Sequence, residues 1–439
     1  MSYNTIFKDL TTVYSTWNEL RQYLESDAGG RFRVVDKKDD LCLIRYQKGH
    51  SRMDLPHSKW FRSVVWNTAT NQPISIAPPK VSMYNMPFNT FQEIRDNSIV
   101  CQEQMDGFMI NCFRKVGDET LYITSRSKLD AAGHFYSSKS FRTLFIETYM
   151  KTSAESTENL EELIQVHGKD MEYPDVSKKE VSVYYSFLVQ HIAHRIVTPV
   201  SANKLFLIHK GIVYEDGTMS INDNNPVCKG QELIPCIPLE ISNESLNESQ
   251  NESQNDLPEQ FFHDSEVVQW IKTLFKTKTW TFQGIVFKDT EGNRWRFRNE
   301  KYSLVKSLRG NSASTIDRFA QLYTENLTYT YLQYYPDDNF FFSCHTIFIN
   351  MIIDYIYNNY IGLFITKTIN KHSIDSMYIP HLFALHGIYL KNLRPNGTKI
   401  TPQQIIMYFH KQPWQRIAYL IKKFQDTYFV QLGEIINSV

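Results

Sequence analysis

The sequence predicts an α+β fold of antiparallel sheets and helices followed by an all-helical C-terminal part, and three observations predict it. Residues 1–28 place Leu10, Val13, Trp17, Leu20 and Leu24 at a spacing of three to four, the period of a helix with one apolar face. From about Phe32 to Phe145 the pattern turns to short alternating or apolar runs separated by Gly, Asn and Asp, which reads as strands. After Gly310 a helical period takes over to the end of the chain, as in Pro413 to Leu432.

Taken in order, the strands of the first part include Leu41 to Tyr46, Val64 to Asn67 and Leu121 to Thr124. Helices are expected at Ser138 to Lys151 and Ser156 to His167, and strands return at Val181 to Val189 and Lys204 to Ile208. Residues 242–257 hold three copies of Asn-Glu-Ser, at Asn243, Asn247 and Asn251. With almost nothing to bury, that stretch predicts a surface insertion. Strands resume at Trp280 to Lys288 and Arg294 to Arg298, and the domain boundary is placed so that residues 1–312 and 313–439 form the two domains.

The 439 residues suffice for two or three domains. Lys+Arg and Asp+Glu both number 47, so no global basic excess announces nucleic acid, although charge can still be concentrated locally. The richness in Asn, Ile, Lys, Tyr and Phe hints at an AT-rich genome. Six scattered cysteines (Cys42, Cys101, Cys112, Cys228, Cys236 and Cys344) contain no CxxC pair, which fits free thiols rather than zinc or disulfides. The N-terminus has no apolar signal segment. The most apolar stretch, Phe340 to Ile365, is broken by His345, Asn350, Asp354, Asn358 and Asn359, and is expected as a buried helix rather than a membrane span.

The chemistry is concentrated in five segments. The first is Glu103-Gln104-Met105-Asp106-Gly107 ahead of the strand-like run Phe108 to Phe113. Upstream lies Trp60-Phe61-Arg62-Ser63, and downstream Thr124-Ser125-Arg126. Then come Phe187 to Val197, ending in Arg195-Ile196-Val197, and Gln283-Gly284-Ile285-Val286-Phe287-Lys288. Arg296-Phe297-Arg298, with Tyr302 shortly after, completes the series. Alternation puts Arg294, Arg296 and Arg298 on one strand face and Trp295 and Phe297 on the other. A basic face of that kind can grip phosphate, or simply be solvated over an aromatic core. Two bland alternatives stand beside these: Asp106-Gly107 as an ordinary hairpin turn, and His191 with His194 as structural histidines without a third metal ligand.

In this order the segments resemble the covalent nucleotidyltransferases, closest to the phage-type RNA ligases and their relatives in large DNA viruses. The family motif K-x-D-G carries a nucleophilic lysine, and Gln104 occupies its place. The resemblance implies a nucleotidyltransferase (ATP-grasp-like ligase) domain. It also implies roles for the matching residues. Gln104 (the substituted nucleophile), Asp106 and Gln283 fall on catalytic positions. Arg62, Glu103, Gly107, Arg126, Arg195, Lys288, Arg296 and Arg298 fall on nucleotide- or phosphate-binding positions, and no metal ligand is assigned. Against the family pattern, Gln283 replaces a glutamate, Leu188 another acidic residue, and Arg296 and Arg298 replace lysines.

Two functions follow from the resemblance. One is a catalytically inactive RNA-ligase-like protein that binds RNA or nucleotide, or serves as a structural subunit of a viral or virus-like complex. The other is an active ATP-dependent RNA ligase, using ATP and Mg2+, in which Gln104 is an engineered trap or a tolerated variant. Either implies a cytoplasmic or virion-associated protein with RNA as partner, protein partners met through the C-terminal domain, and no membrane. The C-terminal segments Leu382 to Leu390, Ile400 to Gln403 and Pro413 to Arg416 are similar to the tail of the viral ligase-like proteins. There Thr401 is expected as an N-cap with Pro402 in the first helical position.

Overall fold

The computed structural model describes residues 4–82, 86–118, 120–152, 177–222, 234–239, 265–312 and 314–437. The expected helix Ser156 to His167, the Asn-Glu-Ser stretch and Cys228 lie outside them. The chain divides into two compact units, Met1–Ser303 and Leu304–Val439.

The first unit is mixed α/β with three antiparallel sheets. Strands β1 (Arg33–Lys38), β2 (Leu41–Arg45), β3 (Val64–Asn67) and β4 (Gln72–Ile76) form a meander in chain order. Its apolar residues join Ile6, Phe7, Leu20 and Leu24 of the two N-terminal helices in one core, which also takes in Phe113 and Tyr184 of the next sheet. Thr16 starts the second helix, Trp17–Glu25, with a capping box to Glu19, so the helix begins where its apolar face begins.

The five-stranded sheet runs β10-β9-β8-β6-β7, from β6 (Phe108–Lys115), β7 (Tyr122–Ser125), β8 (Glu180–Gln190), β9 (Lys204–Tyr214) and β10 (Met219–Asn222). Its Ile110, Cys112, Tyr185 and Phe187 bury against Leu144, Phe145 and Tyr149 of the helix Phe141–Thr152. A three-stranded sheet, β12-β11-β5, is made of β5 (Val100–Glu103), β11 (Gly284–Lys288) and β12 (Arg294–Arg298). It packs Cys101, Ile285, Phe287 and Trp295 against Val267 and Ile271 of the helix Glu266–Thr277. Strand β11 starts at Gly284 rather than Trp280. The residues before it form a turn closed by Phe282 N–H on the Thr279 carbonyl, with the Asn299 amide donating to the Thr279 and Phe282 carbonyls.

Every element of the second unit among the described residues is a helix. Thr401 caps the helix Pro402–His410, with Pro402 in its first turn as expected. The long helix Asn339–Tyr360 buries Phe342, His345, Ile349, Ile352, Ile353, Ile356 and Tyr360 along one face. That face packs against the helices Thr315–Thr324, Pro402–His410 and Trp414–Asn437. The helix expected as buried is covered along this one face among the described residues, and Phe340, Phe341 and Ile347 are exposed on its other side. Pro336–Ile365 is also the one stretch among the described residues long and apolar enough to cross a membrane by length and composition.

Burial in this unit sets a pH dependence. Among the described residues neither ring nitrogen of His345 meets a hydrogen-bond partner, and burial holds its pKa below the usual 6.5. His381, 2.9 Å from the Tyr408 hydroxyl, is lowered by burial and then by the Arg416 charge. A histidine depressed in the folded state binds more protons when unfolded. Its contribution is therefore intact above the unfolded value and shrinks as pH falls through it. Thermal unfolding of the helical unit is expected to shift to lower temperature between about pH 7.5 and about pH 5, and less steeply in His345→Leu. An identical slope in the variant would remove His345 as the cause.

Candidate functional site

The Gln104–Gly107 segment is not a hairpin turn. Strand β5 pairs with β11, whereas β6 pairs with β7 and β8, so these residues carry the chain from the three-stranded sheet to the five-stranded one. The Gln104 N–H donates to the Gly284 carbonyl at 2.8 Å, which fixes the first residue of the crossing to the start of β11.

Asp106 secures the rest of it. The side chain is buried, at 8% exposure, and its carboxylate receives three protein donors. Oδ2 accepts the N–H groups of Val197 and Thr198, each at 3.0 Å, and Oδ1 accepts the Tyr302 hydroxyl at 2.8 Å. The Asp106 carbonyl takes the Gln190 amide at 2.8 Å. A carboxylate so engaged holds the crossing, the 195–198 loop and Tyr302 together. Gly107 follows at a close approach, since a Cβ there would sit 2.6 Å from the Val189 carbonyl oxygen. Only glycine lets the crossing enter β6 so near β8.

Alternation along β11 and β12 then sorts the remaining residues. Trp295 and Phe297 turn into the core with Ile285 and Phe287. The opposite face carries Lys288, Arg294, Arg296 and Arg298, with Lys288 paired to Arg294, Val286 to Arg296 and Gly284 to Arg298. Arg298 thus lies across from the glycine that holds Gln104. Gly284 takes φ +146°, and a Cβ on it would meet the Phe297 carbonyl oxygen at 2.1 Å.

Arg62 joins this cationic face from the loop before β3. Burial pushes its guanidinium down to about 10, and the nearby charges of Arg294, Arg126 and Arg296 push the same way. Arg126 lies over the Tyr46 ring at 4.9 Å, and the Lys80 ammonium lies over the same ring at 5.5 Å. Arg45 donates to Ser127 Oγ at 2.6 Å and is lowered by burial and then by Arg126. Arg45, Arg62, Arg126 and Arg298 make no ion pair among the described residues.

The structure therefore brings Arg62, Arg126 and Arg296 into one electropositive cluster, with Lys288 and Arg298 on the same strand face. Arg195 is placed elsewhere: it donates to the Val197 carbonyl at 3.0 Å and lies 6.0 Å over the Trp280 ring, beside the loop that Asp106 holds. Glu103 pairs with Ile285 and shares the face of Cys101, away from the arginines. Burial raises its pKa and the Lys278 charge lowers it less. Gln104 and Gln283 each leave the side-chain amide oxygen buried without a hydrogen-bond partner among the described residues.

These groups fit a polyphosphate. Planar guanidinium groups pair with phosphate oxygens two at a time, and Arg62, Arg126 and Arg298 carry charge that no ion pair among the described residues offsets. They do not fit magnesium, which binds through one or two carboxylates together with the phosphates of its nucleotide. Asp106 has both oxygens engaged, Glu103 faces away, and the two glutamines offer neutral amides. Among the described residues, no group of three or more His, Cys, Asp or Glu side chains is placed to hold a metal.

His191 is fixed rather than available: its Nε2 lies 3.0 Å from Glu147, and its Nδ1 accepts the Ala193 N–H. The described cysteines are all free thiols. Sequence reasoning left out Arg45, Tyr46 and Lys80 as site residues, whereas strand alternation had already set Arg294 beside Arg296 and Arg298. Arg45, Tyr46 and Lys80 carry no local signal, since only the pairing of distant strands places them beside Arg126. No family model matches the chain, and no curated protein matches it.

Proposed function

We propose that the first unit is an RNA-ligase-like nucleotidyltransferase domain that binds the phosphates of RNA or a nucleotide without forming a covalent intermediate. The observation that carries this is the pairing of the arginine cluster with Gln104. In the lysine enzymes a deprotonated amine attacks the α-phosphorus, forming a P–N bond as pyrophosphate leaves. The amide nitrogen of Gln104 has its lone pair delocalised into the carbonyl and makes no comparable attack. The cations that would hold the phosphates remain, and those at Arg296 and Arg298 are arginines, suited to bidentate grip rather than to a point charge.

The test is incubation with α-labelled ATP, and separately GTP, plus magnesium. The protein as it stands is expected to hold nucleotide or RNA on a native filter and to carry no label after denaturation. Label surviving denaturation would overturn the reading, and so would failure to retain either nucleotide or RNA. In Gln104→Lys, no covalent label is expected either, because Gln283 supplies no carboxylate where the family has one. Label on that variant alone would restrict the loss to the nucleophile.

A further inference from the structure

We infer that the ligand of this arginine-bearing face is a nucleoside triphosphate taken as the metal-free anion, the arginine cluster standing in for the divalent cation. The inference rests on the phosphate-binding reading above and adds the ionic form of the ligand. Three observations lead to it.

The first is the position of the cations. Arg294, Arg296 and Arg298 occupy successive outward positions of β12, and Arg298 pairs with Gly284, whose carbonyl holds the Gln104 N–H. Positive charge thus runs up to the point where a nucleophile would meet the α-phosphate. Arg62 and Arg126 extend the same cluster, and their guanidinium groups make no ion pair among the described residues.

The second is the state of the carboxylates. Both oxygens of Asp106 accept protein donors, so the group cannot turn to a metal without giving up its bonds from Val197, Thr198 and Tyr302. Glu103 lies on the opposite sheet face, beside Cys101.

The third is Gln283, one residue before the glycine that holds Gln104, buried at 8% exposure. Its neutral amide adds no negative charge to attract a dication at the position where the resembling family has a carboxylate. Magnesium bound to the nucleotide would bring two positive charges toward the cluster and shield the oxygens the arginines pair with. Magnesium is therefore a competitor here, not a cofactor.

The experiment is calorimetric titration of the full chain with ATP, once with excess EDTA and once with magnesium in excess over ATP. Single-stranded RNA without nucleotide is titrated alongside. ATP is expected to bind in EDTA and to bind several-fold more weakly with magnesium. Arg126→Ala, at an exposed position that leaves folding alone, is expected to weaken metal-free binding about tenfold, the loss of one charge-assisted contact. Gln283→Glu is expected to weaken binding in EDTA and to shrink the magnesium penalty. ATP binding that appears only with magnesium overturns the inference and leaves the phosphate-binding reading intact, as does binding of RNA alone. No binding of ATP or RNA in either condition removes both. ATP affinity unchanged in both Arg126→Ala and Arg62→Ala would place the ligand elsewhere and overturn the inference too.

Discussion

Asp106→Ala is expected to lower the stability of the first unit by about 4 kcal/mol, because it removes an acceptor from the buried Val197 N–H and Tyr302 hydroxyl and from the part-buried Thr198 N–H. Each hydrogen bond to an ionised group is worth roughly 1.5–3 kcal/mol, and the three are not additive. The variants grade the effect. Asp106→Asn keeps the shape and one good acceptor, so about half the loss is expected, if the amide nitrogen turns to Tyr302 and the hydroxyl accepts from it. Tyr302→Phe removes one contact only and should cost about 1.5 kcal/mol. Equilibrium denaturation in urea measures all three. A loss under about 1 kcal/mol in Asp106→Ala would mean that water replaces the carboxylate and that the crossing is not held by it.

Gly284→Ala is the second large effect, for a different reason. At φ +146° an L-residue is strained by about 1–3 kcal/mol. The added methyl must also push aside the Phe297 carbonyl, 2.1 Å away, which is backbone and cannot swing clear. Together these predict a loss of roughly 2–4 kcal/mol, with β12 displaced from β11. Because Arg296 and Arg298 flank Phe297, phosphate binding should fall with stability. Parallel measurement of melting temperature and nucleotide retention checks this, and a normal melting temperature would contradict the strain argument. Gly107→Ala meets the Val189 carbonyl at 2.6 Å without a left-handed φ, so its cost should be smaller.

Periodicity made most of the fold legible. The alternation of Arg294 to Arg298 predicted a cationic face over an aromatic one, and Trp295 and Phe297 do lie in the core. The break between strands and helices was visible in the change of apolar spacing. The role of Asp106 was not, because its three donors come from positions 197, 198 and 302, which no local pattern links. Glu103 was read from its place in the motif alone, which does not say that strand alternation turns it to the face of Cys101, opposite Arg296. The long apolar helix was judged by composition, which cannot tell how many neighbours will cover it.

The division of β12 into two faces also governs how this protein can change. Trp295 and Phe297 bear the packing, whereas the arginines contribute little to the core they stand above. Arg294 is itself buried, at 8% exposure, so the freedom to vary is greatest at the half-buried Arg296 and Arg298. Ligand preference can therefore drift residue by residue, lysine to arginine or arginine to another side chain, while the scaffold stays folded. A catalytic site is easily lost in that setting, and a binding site easily retuned, because neither event has to pass through an unstable intermediate sequence.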